Sequence, residues 1–153
     1  MTDNWDAWRY LLGQWESDPA NDPSQGGGKF SFRFELGENI LIRENRSLIP
    51  AGEVSMENIH EDLMIVYCEE PDSKRAIYFD NEQHVIHYKA NISEDNKTIA
   101  LESEATAATP QFRFTYIRID EDTLNARFEI APPGNPGQFS IYLEGKARKT
   151  GTA

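Results

Sequence analysis

Three histidines and one cysteine are the side chains of this 153-residue sequence best suited to metal, proton or nucleophile chemistry. Their spacing argues against all of these. His60-Glu-Asp-Leu-Met64 has methionine where a zinc-binding helix would carry its second histidine, and the segment reads as the start of a strand. His84 and His87 are three apart, so on one strand they face opposite sides and cannot share a metal. Cys68 ends an apolar run, where a buried and inert thiol is expected. No Gly-x-Ser-x-Gly elbow is present. The residues therefore name no catalytic group, no metal site and no cofactor. What remains is recognition chemistry, carried by Arg43, Asn45 and His84 and by the phenols of Tyr67, Tyr78, Tyr88 and Tyr116.

Those residues sit in a run of short strands. Phe30, Phe32, Phe34 and Leu36 alternate with Ser31, Arg33 and Glu35, the pattern of a half-buried strand. Further strand patterns cover 39–49, 61–68, 75–80, 84–92, 97–105, 111–119, 123–131 and 138–149. Turn formers such as Asp80-Asn-Glu, Glu94-Asp-Asn, Asp120-Glu-Asp and Pro132-Pro-Gly-Asn-Pro-Gly137 separate them. With a strand at Trp15 the total is about ten, and no helical pattern interrupts them, so an up-and-down antiparallel sheet follows.

An open sheet of that size exposes two long edges, and closing it into a barrel removes them. A barrel wider than eight strands has a cavity unless it is flattened and filled, and eight phenylalanines with six tyrosines make the filled form a real alternative. The expected fold is an all-β, closed antiparallel barrel forming a single domain over residues 1–153, with a short helix capping one end. That helix is predicted over Trp5 to Leu12, where Trp5, Trp8 and Leu12 share one face. Asp3 is its expected N-cap, followed by Asp6 three residues on, and Gly13 its left-handed stop. The turn-rich stretch from Ser17 to Gly28 is expected to border and gate the barrel mouth.

Parity suggests which side chains meet inside. If Phe79 pairs with His84, then Ile77, Phe79, His84, Ile86 and Tyr88 share the inner face, with His84 at the rim. Phe112, Phe114 and Tyr116 share a face with Leu124, Ala126, Phe128 and Ile130 only if the loop after Ile119 has an odd length; Asp120-Glu-Asp122 with a left-handed acid is predicted. Arg43 and Asn45 lie on one face of their strand and Glu44 and Arg46 on the other, so charge enters the barrel either way. Arg43 then either pairs with a carboxylate near the mouth or anchors an anionic ligand, helped by Tyr67, Tyr78 or Tyr116. The pocket is expected to be lined by Phe30, Phe32 and Phe34 and neighbouring strands.

A formal net charge of -11, with basic residues scattered, argues against nucleic acid and anionic membranes as partners. No stretch approaches the roughly 20 apolar residues that span a bilayer, and the acidic N-terminal stretch reads as no secretory signal. A lone cysteine suits a reducing compartment, and the cytoplasm is the expected location.

Gly13-Gln-Trp15 after a short helix, with Arg148 in the last strand, resembles the calycin superfamily, which includes lipocalins and fatty-acid-binding proteins. The resemblance implies that the Arg148 guanidinium packs over Trp15 where first and last strands meet. Leu11-Leu-Gly-Gln-Trp-Glu16 also resembles the opening of nitrobindin-like bacterial barrels, which bind haem through a histidine in a late strand. No histidine follows residue 87 here, which demotes haem to a third reading. The first reading is binding or carriage of a small apolar or amphipathic molecule. The second is a ligand-free interaction module, such as a homodimer. Leu63, Ile65 and Tyr67 on one face of a strand and Met64, Val66 and Cys68 on the other favour it, because the outer face needs the N-terminal helix or a second subunit as cover.

Overall fold

A computed structural model describes residues 5–17, 28–48 and 59–152. Ten antiparallel strands close into a barrel: β1 (Gly13–Ser17), β2 (Gly28–Glu35), β3 (Ile40–Leu48), β4 (Ile59–Glu70), β5 (Ser73–Asp80), β6 (Val85–Ile92), β7 (Thr98–Ser103), β8 (Gln111–Arg118), β9 (Thr123–Ala131) and β10 (Ser140–Gly151). Each strand pairs with its neighbour in sequence, and β1 pairs with both β2 and β10, so no edge is left open.

The turns after β2, β4, β6 and β8 gather at one end, which the N-terminal segment covers. Among the described residues its Asp6–Leu11 stretch is the only helix, and it is 3₁₀ rather than the expected α-helical turn. Trp5 occupies the N-cap position with no side-chain cap, and Asp3 lies outside the described residues. The segment is held by its tryptophans. Trp5 donates from Nε1 to the Glu38 carbonyl at 2.8 Å and meets Phe34 edge-on at 5.4 Å, while Trp8 and Leu11 are fully buried. Trp15 donates from Nε1 to the Leu11 carbonyl at 2.8 Å and stacks on Phe30 at 6.1 Å.

Gly13 does not end a helix. It begins β1 with φ 122°, and a Cβ there would lie 2.5 Å from the Gly151 carbonyl oxygen, so only glycine lets β1 approach β10 this closely. The cation over Trp15 is Lys149, whose Nζ lies 5.1 Å from the ring centroid, and not Arg148. A register shift between Gln14 and Trp15 sets Trp15 opposite Lys149 and Glu16 opposite Arg148. Lys149 thus shares the inner face with buried Ala147, and Arg148 between them points outward.

Burial of the aromatic face fixes the β8–β9 hairpin as expected: Phe112 faces Ile130, Phe114 faces Phe128 and Tyr116 faces Ala126. Ile119 N–H donates to the Thr123 carbonyl at 2.9 Å around a three-residue loop. No residue of that loop is left-handed; the Asp120 carboxylate accepts from Asp122 N–H at 2.9 Å instead and turns the chain.

The β5–β6 hairpin differs from its expected register. Phe79 faces Val85, and Tyr78 faces Ile86. Gln83 adopts φ 71°, and Asp80 N–H donates to the His84 carbonyl at 3.3 Å, closing a shorter loop than a Phe79–His84 pair requires. Ala76, Tyr78, Ile86 and Tyr88 therefore face inward, and Ile77 and Phe79 outward. On β4, Asp62, Met64 and Val66 are buried while Leu63, Ile65 and Tyr67 face out, which removes Tyr67 from the lumen. Cys68 is exposed rather than buried, at the end of β4 where its pairing with β5 becomes irregular.

Candidate functional site

The inner faces form stacked rows set by strand register. Phe34, Leu41, Val66, Ala76 and Tyr88 make a row toward the covered end; Phe32, Arg43, Met64, Tyr78 and Ile86 make the next. Phe30, Asn45, Asp62 and Asp80 make the row after that, with His60 and His84 beyond it at the rim. At the middle row the walls meet. Phe32 touches Tyr116 of β8 edge-on at 5.6 Å, and the Arg43 guanidinium lies 5.4 Å from the Phe30 ring centre and 5.3 Å from that of Phe114. Below this waist Leu41, Val66, Ile99, Leu101 and Leu124 are fully buried. The covered half is thus packed by its own side chains, and Phe34 belongs to the packing beneath Trp5.

Toward the end opposite the N-terminal segment, a cleft of about 850 Å³ is lined mostly by outward-facing side chains of β1 to β5, among them Gln14, Glu16, Glu44, Arg46 and Glu61, with the inward-facing Trp15, Phe30, Asn45, Asp62 and Asp80 between them. It runs over the rim to Leu63 and Phe79 on the outer face. The stretch from Ser17 to Gly28, expected to gate this mouth, falls between the end of β1 and the start of β2, and its interior lies outside the described residues.

One hydrogen-bonded network runs along this part of the barrel, and its Asn45, Asp62 and Asp80 also line the cleft. Arg43 Nη1 donates to Asp62 Oδ1, and Asn45 Nδ2 donates to Asp62 Oδ2 at 2.9 Å. His60 Nε2 lies 3.0 Å from Asp62 Oδ2 and 3.1 Å from the Tyr78 hydroxyl, and its Nδ1 lies 3.1 Å from Glu82 Oε1. Tyr78 donates to Asp80 Oδ2 at 3.1 Å, and the Asp80 carboxylate also meets His84 Nδ1 at 2.9 Å and the N–H groups of Glu82 and His84. The chain Arg43–Asp62–His60–Tyr78–Asp80–His84 therefore runs from the waist to the rim.

The electrostatics follow from burial and pairing. The Arg43 and Asp62 side chains are only 7% and 4% exposed, so each charge depends on the other. Burial pushes the Asp62 carboxyl up, but the Arg43 charge and the hydrogen bonds from His60 and Asn45 outweigh it and hold Asp62 below the usual carboxylate range. The hydrogen bond to Asp62, reinforced by Glu82, raises His60 to about 9, so it is cationic at neutral pH. Burial, with Asp62 and Asp80 nearby, pushes the Tyr78 phenol up and keeps it neutral.

Of the residues expected to bind a ligand, Phe30 and Asn45 line the cleft. Arg43, Phe32, Tyr78 and Tyr116 form the waist beneath it, and Tyr88 lies lower in the packed half. Arg43 meets a carboxylate, as one of its two expectations had it. His60, Asp62 and Asp80 were not singled out for this wall. The alternation that buries Met64 and Val66 also buries Asp62 opposite Asn45, and that was the signal for it. His60 and His84 sit at the rim and His87 faces out opposite Ile77, so no histidine projects into the packed lumen. Among the described residues no cluster of three or more His, Cys, Asp or Glu is arranged to hold a metal ion.

The fold is a closed, ten-stranded antiparallel barrel with its N-terminal segment over one end, consistent with a calycin-like barrel. Among solved structures it is similar to one titled "Crystal Structure of Rv2717c from M. tuberculosis", with a TM-score of 0.63 and 16% identity over 98% of this chain and 99% of that one. That likeness concerns the fold. No protein-family model matches the chain, and no curated protein does. Among the described residues no helix is long and apolar enough to cross a membrane.

Proposed function

We propose that this chain is a calycin-type container that binds a small apolar or amphipathic molecule in the cytoplasm. The observation that carries the reading is a cleft of about 850 Å³ on a closed barrel, within the size range of small-molecule sites. Its lining sets Trp15, Phe30, Leu63 and Phe79 among polar and charged side chains such as Glu44, Asn45, Arg46 and Asp80, which suits an amphipathic guest. Native mass spectrometry of freshly purified protein tests this. A retained small molecule, or stoichiometric uptake of an added apolar fluorophore, is the expected result; failure of both overturns the reading.

A second reading, a ligand-free homodimeric module, draws on the outer face. Phe79 and Val85 are 40% and 57% exposed there, beside Leu63 and Ile65, and the N-terminal segment covers the barrel end rather than this face. The same spectrum separates the two, since a dimer that carries nothing favours the module. A Soret band would point instead to the third reading, haem.

A further inference from the structure

The inner face of β8, β9 and β10 is filled only in part. Tyr116 faces Ala126, and Ala126 faces Gly145, so all three look into the lumen. Phe114, Phe128 and Leu143 make the adjacent inner row, and Phe112 with Ile130 the one beyond. Toward the covered end this face is buried at Tyr116, Leu124 and Ala147. Past those residues the burial fails. Phe112, Phe114, Ala126 and Phe128 are only half-buried, and Leu143 is 42% exposed although its register points it inward. Gly145 marks the gap: its backbone is not left-handed, and a Cβ built on it meets no described atom within 4 Å. The register explains the opening. Strand β1 ends at Ser17, opposite Ala147, so no described strand flanks Gly145 and Leu143 on that side.

Three phenylalanine rings form the wall beside the gap. Phe128 lies 5.7 Å from Phe112, tilted to it, and 5.9 Å from Phe114, edge-on. The irregularity between Ile141 and Leu143 brings Tyr142 edge-on to Phe128 at 6.1 Å. The charged side chains Arg113, Arg127, Glu129 and Glu144 alternate to the outer face of these strands and pair with one another there.

We propose that the recess over Gly145 is a seat for one uncharged aromatic ring system, packed on Phe128 between Phe114 and Leu143. The wall offers ring faces and ring edges together, the arrangement in which aromatic groups attract one another beyond simple burial. The cation beside Phe114 is Arg43, already matched by Asp62, so an anion finds no uncompensated charge there. The seat goes beyond the cleft reading: it lies inside the barrel, and none of its residues lines the cleft.

The test adds N-phenyl-1-naphthylamine, a neutral aromatic fluorophore, to the intact chain. One equivalent should bind with enhanced, blue-shifted emission. Gly145→Leu sends a side chain into the open space and should weaken the probe by about tenfold or more, whereas Gly145→Ala should change it by less than about threefold. Leu143→Glu, at a position that already meets solvent, should weaken it by about tenfold as well and serves should Gly145→Leu fold poorly. Phe79→Asn, which alters the cleft lining alone, should leave the probe unaffected. As competitors, biphenyl should outdo decanol and biphenyl-4-carboxylate by about tenfold. A probe indifferent to both Gly145→Leu and Leu143→Glu overturns the inference, as does equal competition by the alcohol or the carboxylate. A probe weakened by Phe79→Asn alone sits in the cleft, which overturns the inference and leaves the container reading standing. No uptake by the unsubstituted protein also overturns the inference, and the container reading then stands or falls on the molecule that native mass spectrometry finds retained.

Discussion

Replacing Asp62 with asparagine keeps the shape of the side chain and removes the charge that faces Arg43. The guanidinium stays where it is, with a side chain 7% exposed between Phe30 and Phe114 and, among the described residues, no second carboxylate in hydrogen-bond contact. Breaking a buried pair by deleting one partner costs about 3–5 kcal/mol, because the remaining charge is left in a medium that solvates it badly. A domain of this size has about 5–15 kcal/mol in all, so the loss is a large fraction of the total. At about 2–4 °C per kcal/mol, the melting temperature should fall by roughly 6–20 °C. Urea titration with circular dichroism measures the free energy directly. A double replacement, Arg43→Met with Asp62→Leu, should recover most of it, since an apolar pair of similar volume leaves no charge to solvate and is often neutral or stabilising. If Asp62→Asn alone costs under about 1 kcal/mol, the range of an exposed ion pair, then Arg43 is not buried as described and the reasoning about the waist fails.

Trp15→Ala should destabilise by about 3–5 kcal/mol, the range for a buried large aromatic, and an unchanged melting temperature would remove Trp15 from the core. Lys149→Met should cost about 0.5–1 kcal/mol through the lost cation–aromatic contact, while Arg148→Met, on the outer face, should stay within about 0.5 kcal/mol; a larger effect at Arg148 would restore the arginine as the closing residue. His60 has a folded pKa raised to about 9 from an ordinary value of 6.5, so its contribution is whole below 6.5 and is lost as pH rises toward 9. The stability advantage of the unsubstituted protein over His60→Gln should therefore shrink across that window in urea titrations at stepped pH, and a constant difference would show that Asp62 and Glu82 do not hold His60 in its protonated form.

How much of this was readable from the sequence depended on whether one face of a strand was clearly the more apolar. On β8 the face of Phe112, Phe114 and Tyr116 alternates with Gln111, Arg113 and Thr115, so its pairing with β9 and the odd loop could be derived. On β5 both faces are apolar, Ala76 and Tyr78 against Ile77 and Phe79, and parity could not choose; a left-handed Gln83 made the choice. Arg148 was exchanged for Lys149 by one register shift between Gln14 and Trp15, which leaves no mark on hydrophobic patterning. The wall network was hidden for a related reason. Its members come from β3, β4, β5 and the turn after β5, and only the combined registers of three strands bring them together.

The seam between β1 and β10 also sets an order of events during synthesis. Thr150 Oγ1 donates to the Gln14 carbonyl at 3.3 Å across 136 positions of chain, so the first strand of the barrel waits for the last. At ~5–20 residues per second, that wait is about 7 to 27 s on the ribosome. During it β1 has only β2 for a partner, and its other edge is free to pair with a neighbouring nascent chain. Closure is then a long-range step of the kind that makes β-barrels fold slowly. Variants that loosen the seam at Gly13 or Trp15 should therefore reveal themselves first as poor yield from crowded polysomes, before any loss is seen in the finished barrel.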